Sequence, residues 1–416
     1  MNISVEKVDA LNILFRGFID HSIIEENITS LRQEAKKHMK EDEIDDETFE
    51  KNAEGQALHN FINEAMKKAQ ITAEDILGQP SFKDYEKQKN GLTIEVEVSL
   101  RPIIDTSIAY MEVVPSFSVP QADTSLMETR LSKLALQQAP YTPITKERAV
   151  QHGDLISVDF SGFLNGKALE GAEAKAYKLK IGTNSFIPGF EQKMIGLHAG
   201  DDKRITITFP TNYPTKALAG KETEFDVKLH DIKEQVALEI NDDLAKHVLK
   251  DSSATLSTLK EKVKEQIAAE AFTHLYKKEL QPKLIKGLLS KFDFALPNNV
   301  IEQEIDAKVN EKAQHMSKKE LSLYREDKQK FKALRDSLKV EASNSIKAAL
   351  IVDALAKKEG IVVSEEELTA SLTHQAEITG KNAEELIDYY ENNNLMTALR
   401  VGLMEEKLFR KMLGVN

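Results

Sequence analysis

The sequence contains no cysteine among its 416 residues. Disulfide bonds, thiolate nucleophiles and cysteine-based metal sites are therefore excluded, and a reducing compartment suits the chain. The ten histidines are scattered and show no HExxH or other ligand-spaced pair. Because metal sites in proteins need such clustered ligands, we expect no bound metal.

Long apolar runs and phosphate-binding loops are also missing. No stretch approaches the roughly 20 apolar residues of a transmembrane helix, and the first residues lack the basic, apolar and small-residue pattern of a secretory signal. We therefore expect a cytoplasmic protein without membrane contacts. The sequence has no P-loop and no GxGxxG motif, so neither ATP nor any other cofactor is expected.

Positive charge is in deficit, with a net charge of −12. Binding to nucleic acid depends on clustered lysine and arginine, so general binding to DNA is not expected. A net negative charge is still compatible with a local basic patch on the surface. The length of the chain suggests several domains, and we expect three.

The first third of the sequence predicts a small α+β domain that ends near Pro115. Residues 3–19 are typical of extended structure, and Ser22 with Glu25 has the spacing of a helix capping box. A second helix is expected over about 53–70. Apolar and polar residues then alternate from Leu92 to Leu100, as in a half-buried strand.

Residues 116–147 combine several prolines with a helical stretch, Thr124 to Gln138, and are interpreted as a linker arm. Residues 148–234 contain short apolar strands separated by turn residues such as Asn165 and Gly166, which indicate a compact antiparallel sheet. The segment has one short helical candidate, around Gly189 to Met194.

Residues 235–416 are almost wholly helical in pattern. Apolar residues recur at helical spacing from Leu256 to Ile267, and capping residues followed three positions later by an acid mark further helix starts. These pairs are Asn299 with Glu302, Ser364 with Glu367, and Asn382 with Glu385.

Four motifs in the middle segment occur in the order found in FKBP domains. They are Gly153-Asp154 followed by Ser157 to Gly162, Phe186-Ile187-Pro188-Gly189-Phe190-Glu191, Gly196 to Gly200, and Phe209-Pro210 with Tyr213. The segment resembles the FKBP-type peptidyl-prolyl isomerases, and the resemblance implies an enzyme that isomerises X-Pro bonds.

Isomerisation of an X-Pro bond crosses a barrier of roughly 18–20 kcal/mol, which is set by amide resonance. No nucleophile is needed, because an apolar pocket that removes water from the preceding carbonyl favours the twisted amide. By resemblance, the amide of Ile187 and the hydroxyl of Tyr213 bind a substrate carbonyl. The residues implied to line the pocket are Phe160, Tyr177, Phe186, Ile187, Phe190, Tyr213 and Phe225.

One position departs from the family pattern, since Leu169 precedes Glu170 where an aromatic residue is common. This difference predicts a weakened pocket. The alternative role of any single aromatic residue is to fill the core of a small domain, but the ordered set of motifs favours a binding site.

The resemblance extends over nearly the whole chain to the bacterial trigger factor family. It rests on Phe294 to Pro297, Gly360 to Leu368 and Tyr389 to Asn393. It implies an α+β multidomain protein whose C-terminal helical arms hold nascent or unfolded polypeptides without ATP and assist folding and protein export. The family also implies docking to the ribosome near its exit tunnel and a possible homodimer.

The ribosome-binding signature of that family, GFRxGKxP, is missing from its expected place at residues 38–48. Seven of the ten residues 41–50 are acidic instead. We interpret this stretch as a solvated acidic loop, with a new binding site as the less favoured alternative, and expect docking to be impaired.

Two other functional interpretations stay open at this point. In one, the chain is a dedicated FKBP-type isomerase whose flanking domains dock particular partners. In the other, it is a structural interaction module with an inactive isomerase fold, which Leu169 would favour.

Overall fold

The computed structural model describes residues 2–35, 46–121, 123–393 and 395–415. The chain forms two compact units, Met1–Phe117 with Lys277–Asn416 and Ser118–Tyr276. No helix in the described ranges is long and apolar enough to span a membrane. Half of the predicted acidic loop, residues 41–45, lies outside the described residues, and residues 46–50 are the start of a helix.

The first part of unit one is a four-stranded antiparallel sheet covered by two helices. The strand order is β1-β2-β4-β3, and Phe15, Phe61 and Val96 are fully buried between the sheet and the helices. The predicted α+β class of this segment is thereby confirmed. The elements are β1 (Asn2–Lys7), β2 (Asn12–Asp20), α1 (His21–Ala35), α2 (Asp46–Ala69), β3 (Ser81–Gln88) and β4 (Gly91–Ser99).

One local expectation for this region is confirmed and another is wrong. Residues 3–19 are extended and form the two strands β1 and β2, because the Asp9 carboxylate accepts from the Leu11 amide (2.7 Å) and the Asn12 side chain and closes a turn between them. Helix α1 begins at His21, one residue before Ser22, because the Asp20 carboxylate accepts from the Ser22 amide (3.0 Å). Asp20 therefore supplies the cap that the spacing assigned to Ser22.

Unit two contains a five-stranded antiparallel sheet with path β5-β9-β6-β7, while β8 pairs with β9. Asn165 and Gly166 both have positive φ and close the β6–β7 hairpin, as predicted. Pro143 and Lys233 are register partners where the chain enters and leaves this sheet. The strands are β5 (Tyr141–Pro143), β6 (Leu155–Leu164), β7 (Lys167–Lys180), β8 (Asp202–Thr208) and β9 (Glu222–Gln235).

The helices of unit two fall into two groups. The short helix α4 (Phe190–Met194) packs in the sheet domain at the predicted place. The other three form a separate apolar core that includes Leu131, Leu244 and Leu259. They are α3 (Thr124–Gln137), α5 (Asp242–Leu249) and α6 (Leu256–Leu275), and a π-helical turn, Tyr276–Leu280, follows α6.

The second part of unit one is helical, as predicted. Its long helix α10 buries Leu338, Ile346 and Leu350 in a core shared with α8. The expected class, an α+β multidomain protein with a central antiparallel sheet and a helical C-terminal region, is confirmed. The helices are α7 (Gln281–Lys291), α8 (Asn298–Gln314), α9 (Lys318–Glu326), α10 (Lys328–Lys358), α11 (Glu365–Thr379), α12 (Ala383–Asn392) and α13 (Met396–Leu413).

The predicted helix caps have different outcomes. Ser364 forms a capping box with Glu367, and Asn382 caps α12 through the amides of Glu384 and Glu385. The prediction for Asn299 is wrong.

Helix α8 begins after Pro297, whose fixed φ suits a helix start. Asn299 lies within the first turn, and its side-chain amide donates to the Gln79 carbonyl at 3.3 Å.

The two sequence-distant parts of unit one are joined by polar contacts. The backbone of Gln79 exchanges two hydrogen bonds with the side chain of Gln303, at 2.9 and 2.8 Å. The hydroxyl of buried Tyr110 donates to the Glu359 carboxylate, which also pairs with Lys411 at 2.6 Å.

Candidate active site

Five of the seven proposed pocket residues form one continuous group of aromatic rings. Phe160 lies at its centre and contacts the other four rings at centroid distances of 5.3 to 6.4 Å. Most of these pairs meet edge to face, the geometry that aromatic quadrupoles favour. The strands β6, β7 and β9, the helix α4 and the loop before α4 contribute the rings, which are Phe160, Tyr177, Phe225, Phe190 and Phe186.

Burial divides this group into a base and a rim. Phe190 and Phe225 are fully buried, and Phe160 is nearly so. Phe186 is half-buried, whereas 39% of Tyr177 is exposed. The ring centroids of Phe186 and Tyr177 are 5.1 Å apart. Phe186 and Tyr177 thus form an exposed apolar surface at the edge of the aromatic group, on which the ring of a ligand can pack.

Ile187 and Tyr213 lie at the border of the same core, and both are partly buried. Within the described ranges, the backbone N–H of Ile187 donates to no protein acceptor, so it is free to bind a carbonyl. The ring of Tyr213 packs on Phe209 at 4.6 Å instead of joining the ring group. Leu169 is half-buried on β7 and is not among the side chains packed on this core.

Glu191 is a buried carboxylate that the sequence argument did not assign to a role. It accepts hydrogen bonds from the backbone amides of Gly182 (2.7 Å), Asn184 (3.0 Å) and Ser185 (3.0 Å). Burial alone would raise the pKa of Glu191, but these amides outweigh it and hold that pKa below its usual value. Glu191 therefore fixes the loop that presents Phe186 and Ile187.

Asp159 has a comparable role beside Tyr177. Its carboxylate accepts from the amide of Ala176 (2.7 Å) and pairs with His230 (2.8 Å). The Ala176 amide, followed by His230, lowers the pKa of Asp159. Ala176 has φ of +49°, a strained value for alanine, and it directly precedes Tyr177. Asp159 thus stabilises the backbone that carries the exposed ring.

A third carboxylate network lies where the chain enters the domain. Arg148 makes two hydrogen bonds to buried Asp154, at 2.7 and 2.9 Å, and one to Glu234 at 2.9 Å. Burial raises the pKa of Asp154, but Arg148 and the Gln151 amide together bring it below its usual value. In the sequence, Asp154, Asp159 and Glu191 stand inside the apolar motifs of this segment, and that position was the only signal of the three networks.

The chemistry available at this site follows from its composition. The ring group offers apolar walls that exclude water from an amide, which favours its rotation. The Ile187 amide offers one hydrogen-bond donor that can hold the peptide in place. In the described part of the chain, no group of three or more His, Asp or Glu side chains is arranged to hold a metal ion. The arrangement suits binding and desolvation of an X-Pro unit.

Comparison with known proteins agrees with this interpretation. The family model "FKBP-type peptidyl-prolyl cis-trans isomerase" matches residues 146–230, and "Bacterial trigger factor protein (TF) C-terminus" matches residues 255–414. A trigger factor from Sulfurovum sp. is 45% identical over 428 residues, which covers 100% of both chains. The chain belongs to the trigger factor family.

Other trigger factors extend the comparison. The trigger factor of Nitratiruptor sp. is 39% identical, and the match covers 87% of this chain and 83% of that protein. The trigger factor of Wolinella succinogenes is 36% identical, and the match covers 99% of each. A solved structure from work on promiscuous substrate recognition by the trigger factor chaperone shares 19% identity, with a TM-score of 0.54 over 100% of this chain and 99% of that chain. At that identity the likeness concerns the fold.

Family membership decides between the functional interpretations left open by the sequence. The chain is accordingly a molecular chaperone with an FKBP-type peptidyl-prolyl cis-trans isomerase domain. A dedicated isomerase with partner-docking domains is disfavoured, because the relatives that match along the full length are trigger factors.

Proposed function

We propose that the aromatic group of unit two is the prolyl isomerase site. The observation that carries this proposal is the partly exposed set of five rings next to the Ile187 amide, which donates to no acceptor in the described part of the chain. The substrate proline packs on Phe160, Phe186 and Tyr177, while Phe190 and Phe225 form the floor. Tyr213 binds the substrate backbone through its hydroxyl.

Catalysis at such a site depends on the difference between the planar and the twisted amide. The rings exclude water from the carbonyl before proline, and loss of that solvation costs the planar amide more than the twisted one. The Ile187 amide fixes a neighbouring carbonyl and so orients the peptide. Neither step transfers a proton or forms a bond to the protein, so no cofactor is required.

A tetrapeptide isomerase assay on the full chain tests this assignment. Tyr177→Ala should lower kcat/KM by about tenfold or more, because the partly exposed ring lies at the rim and its loss leaves the core intact. Tyr389→Ala, which removes an exposed tyrosine of unit one, is the matched control and should have no effect. Equal activity of both variants would exclude the Tyr177 rim from the site.

We further propose roles for four segments of the chain. Residues 1–115 resemble the ribosome-binding domain, 116–147 form a linker arm, 148–234 form the isomerase domain, and 235–416 hold unfolded polypeptides without ATP. Exposed apolar side chains of the helical segment support the holding role, for they include Val340 (71% exposed) and Val401 (41% exposed).

The proposed setting is the cytoplasm, where nascent and newly released polypeptides are the partners and assistance to protein export is one outcome. Docking near the ribosomal exit tunnel is proposed to be weak, since residues 41–50 are acidic in place of the basic signature. Self-association to a homodimer is a further proposal, which sedimentation of the purified chain would test.

A further inference from the structure

A second apolar pocket lies in unit one, far along the sequence from the isomerase motifs. The end of α8, one side of α9 and the start of α10 line an open cavity of about 390 Å³, a size typical of ligand pockets. We call it the α8–α10 pocket. Its apolar lining comes from Val309, Met316, Leu321, Tyr324, Phe331 and Leu334.

The pocket is incompletely covered by the protein itself. Helix α9 has no buried residue, although amphipathic helices of globular proteins usually bury one face. Phe331 is 37% exposed, and Leu321 and Tyr324, which line the pocket from α9, are only partly buried. The apolar side of α9 therefore remains available to another molecule.

Two cations complete the lining. Arg325 and Lys328 belong to the pocket wall and are exposed, and within the described residues neither forms an ion pair. Both charges are thus available to a ligand.

The surroundings of the pocket are basic, in contrast to the chain as a whole. Residues 309–334 carry seven Lys or Arg against four Asp or Glu, while the full chain has a net charge of −12. Two of the four acids have local partners, because Glu320 accepts from Ser317 and Asp327 caps α10. The basic character therefore coincides with the open apolar surface.

We propose that the α8–α10 pocket binds segments of unfolded polypeptide in which an aromatic residue or leucine is flanked by Asp or Glu. The apolar side chain enters the cavity, and the flanking carboxylates pair with Arg325 and Lys328. This inference deepens the proposed holding function and rests on it. The pocket would give a chaperone of net negative charge one basic surface for acidic clients, which the other charges of the protein repel.

The observations favour a polypeptide over RNA as the occupant. The lining is mainly aliphatic and aromatic, and only two of its nine residues are cations. RNA binding depends on extended tracts of phosphate contacts, whereas one apolar anchor with two carboxylates matches both the cavity and its charges.

The absence of tryptophan from the chain permits a direct experiment with the full-length protein. Three synthetic peptides share a Trp-Leu core and differ in their flanks, which are Asp/Glu, Asn/Gln or Lys. Peptide tryptophan anisotropy gives the Kd of each. We expect the acidic peptide to bind about fivefold or more tightly than the lysine peptide at low salt, with the difference shrinking as salt is added.

Charge variants assign the preference to the pocket. Arg325→Gln with Lys328→Gln should bring the three Kd values within about twofold, and reversal of both residues to Glu should favour the lysine peptide. Lys260→Gln with Lys381→Gln removes two other exposed cations for which no ion pair occurs in the described residues and should preserve the preference. Leu321→Ser should weaken all three peptides, since the apolar anchor is shared.

The outcomes separate this inference from the function on which it rests. Equal binding of all three peptides by the wild-type chain, together with normal suppression of client aggregation, would overturn the acidic preference and leave the holding function standing. Absence of both peptide binding and aggregation suppression would overturn both. Labelled polyuridine that binds through Arg325 and Lys328 more tightly than the acidic peptide would identify an RNA contact and also overturn the proposal.

Discussion

The carboxylate of Glu191 accepts a 2.7 Å hydrogen bond from the backbone amide of Gly182, at the start of the loop that carries Phe186 and Ile187. Two further amides of the loop, from Asn184 and Ser185, bind the same carboxylate. The position of the Ile187 amide therefore depends on a side chain that is itself buried.

Glu191→Gln should lower isomerase activity while the sheet domain stays folded. Glutamine keeps the size of the side chain but can accept at one oxygen only, so at least one loop amide loses a charged acceptor, at a cost of roughly 1.5–3 kcal/mol. We expect kcat/KM to fall by about tenfold, with an unchanged circular dichroism spectrum. Full activity in the variant would show that the loop is held by other contacts.

The same carboxylate gives a pH dependence of stability. The pKa of Glu191 is below its usual value of 4.5 in the folded protein, so its stabilisation is complete above that value and is lost as pH falls through the lowered folded pKa. Thermal unfolding of the wild type should therefore show a loss of Tm below about pH 4.5 that is smaller in Glu191→Gln.

Phe190→Ala should affect both stability and activity. Phe190 is fully buried and contacts the rings of Phe160, Phe186 and Phe225, so its removal leaves a cavity that costs roughly 3–5 kcal/mol. Urea unfolding monitored by circular dichroism measures the cost, and the isomerase assay should show a loss of activity well over tenfold.

Phe190→Leu is the companion variant. It should cost less stability but still reduce activity, because leucine fills much of the volume without supplying the ring. Wild-type activity in folded Phe190→Ala would remove this ring from the site.

Tyr110→Phe tests the link between the distant parts of unit one. The hydrogen bond to Glu359, aided by burial, raises the pKa of Tyr110 to about 12. Loss of this bond should cost about 1–2 kcal/mol at neutral pH. In the wild type the contribution is constant below about pH 10 and is lost as pH rises toward 12.

Thermal melts at pH 7 and pH 11 distinguish the effect. The difference between wild type and Tyr110→Phe should shrink at the higher pH, and Tyr389→Phe, at an exposed position, should match the wild type at both. An equal difference at both pH values would mean that the hydroxyl makes no such contribution.

Excision of residues 144–232 should preserve the holding activity. The sheet domain has its own core, whereas α3, α5 and α6 form a separate one. Pro143 and Lys233 are register partners, so two glycines can join them. We expect the shortened chain to delay aggregation of a denatured client in light scattering while losing isomerase activity. Complete loss of holding in a shortened chain with native helicity would favour a holding surface within the sheet domain.

Ribosome docking should be weak at physiological salt. Residues 22–50 contain four Lys or Arg against ten Asp or Glu, and ribosomal RNA repels such a segment. Replacement of residues 41–48 by a GFRxGKxP-type loop should create salt-sensitive co-sedimentation with ribosomes. Strong co-sedimentation of the unmodified chain, unaffected by neutralising Glu41 to Glu47, would indicate another docking surface.

Much of the fold could be predicted because local chemistry and tertiary structure agree. The Asn165-Gly166 turn needs two positive φ values, which these residues tolerate, and the alternation from Leu92 to Leu100 matches a strand buried on one face. Strand β3 (Ser81–Gln88) was not predicted. It lies at the edge of its sheet with almost every side chain exposed, so pairing with β4 determines it and leaves no apolar pattern.

The candidate site was only partly accessible from the sequence. Aromatic residues in ordered motifs indicated the ring group, but the supporting roles of Glu191 and Asp159 depend on loop amides that become neighbours only after folding. Among the described residues the Ile187 amide has no internal acceptor, and this too is a property of the folded backbone.

The discontinuity of unit one has a consequence for the time course of synthesis. Its first 117 residues are separated from the remainder by the 159 residues of unit two, which take about 8–30 s to translate at typical bacterial and eukaryotic rates. During that interval the first sheet has its own core, but Glu359, the partner of Tyr110, has not been made. A protein proposed to bind nascent polypeptides is thus itself an incomplete nascent chain for many seconds. The contacts between the two parts of unit one form only near the end of translation.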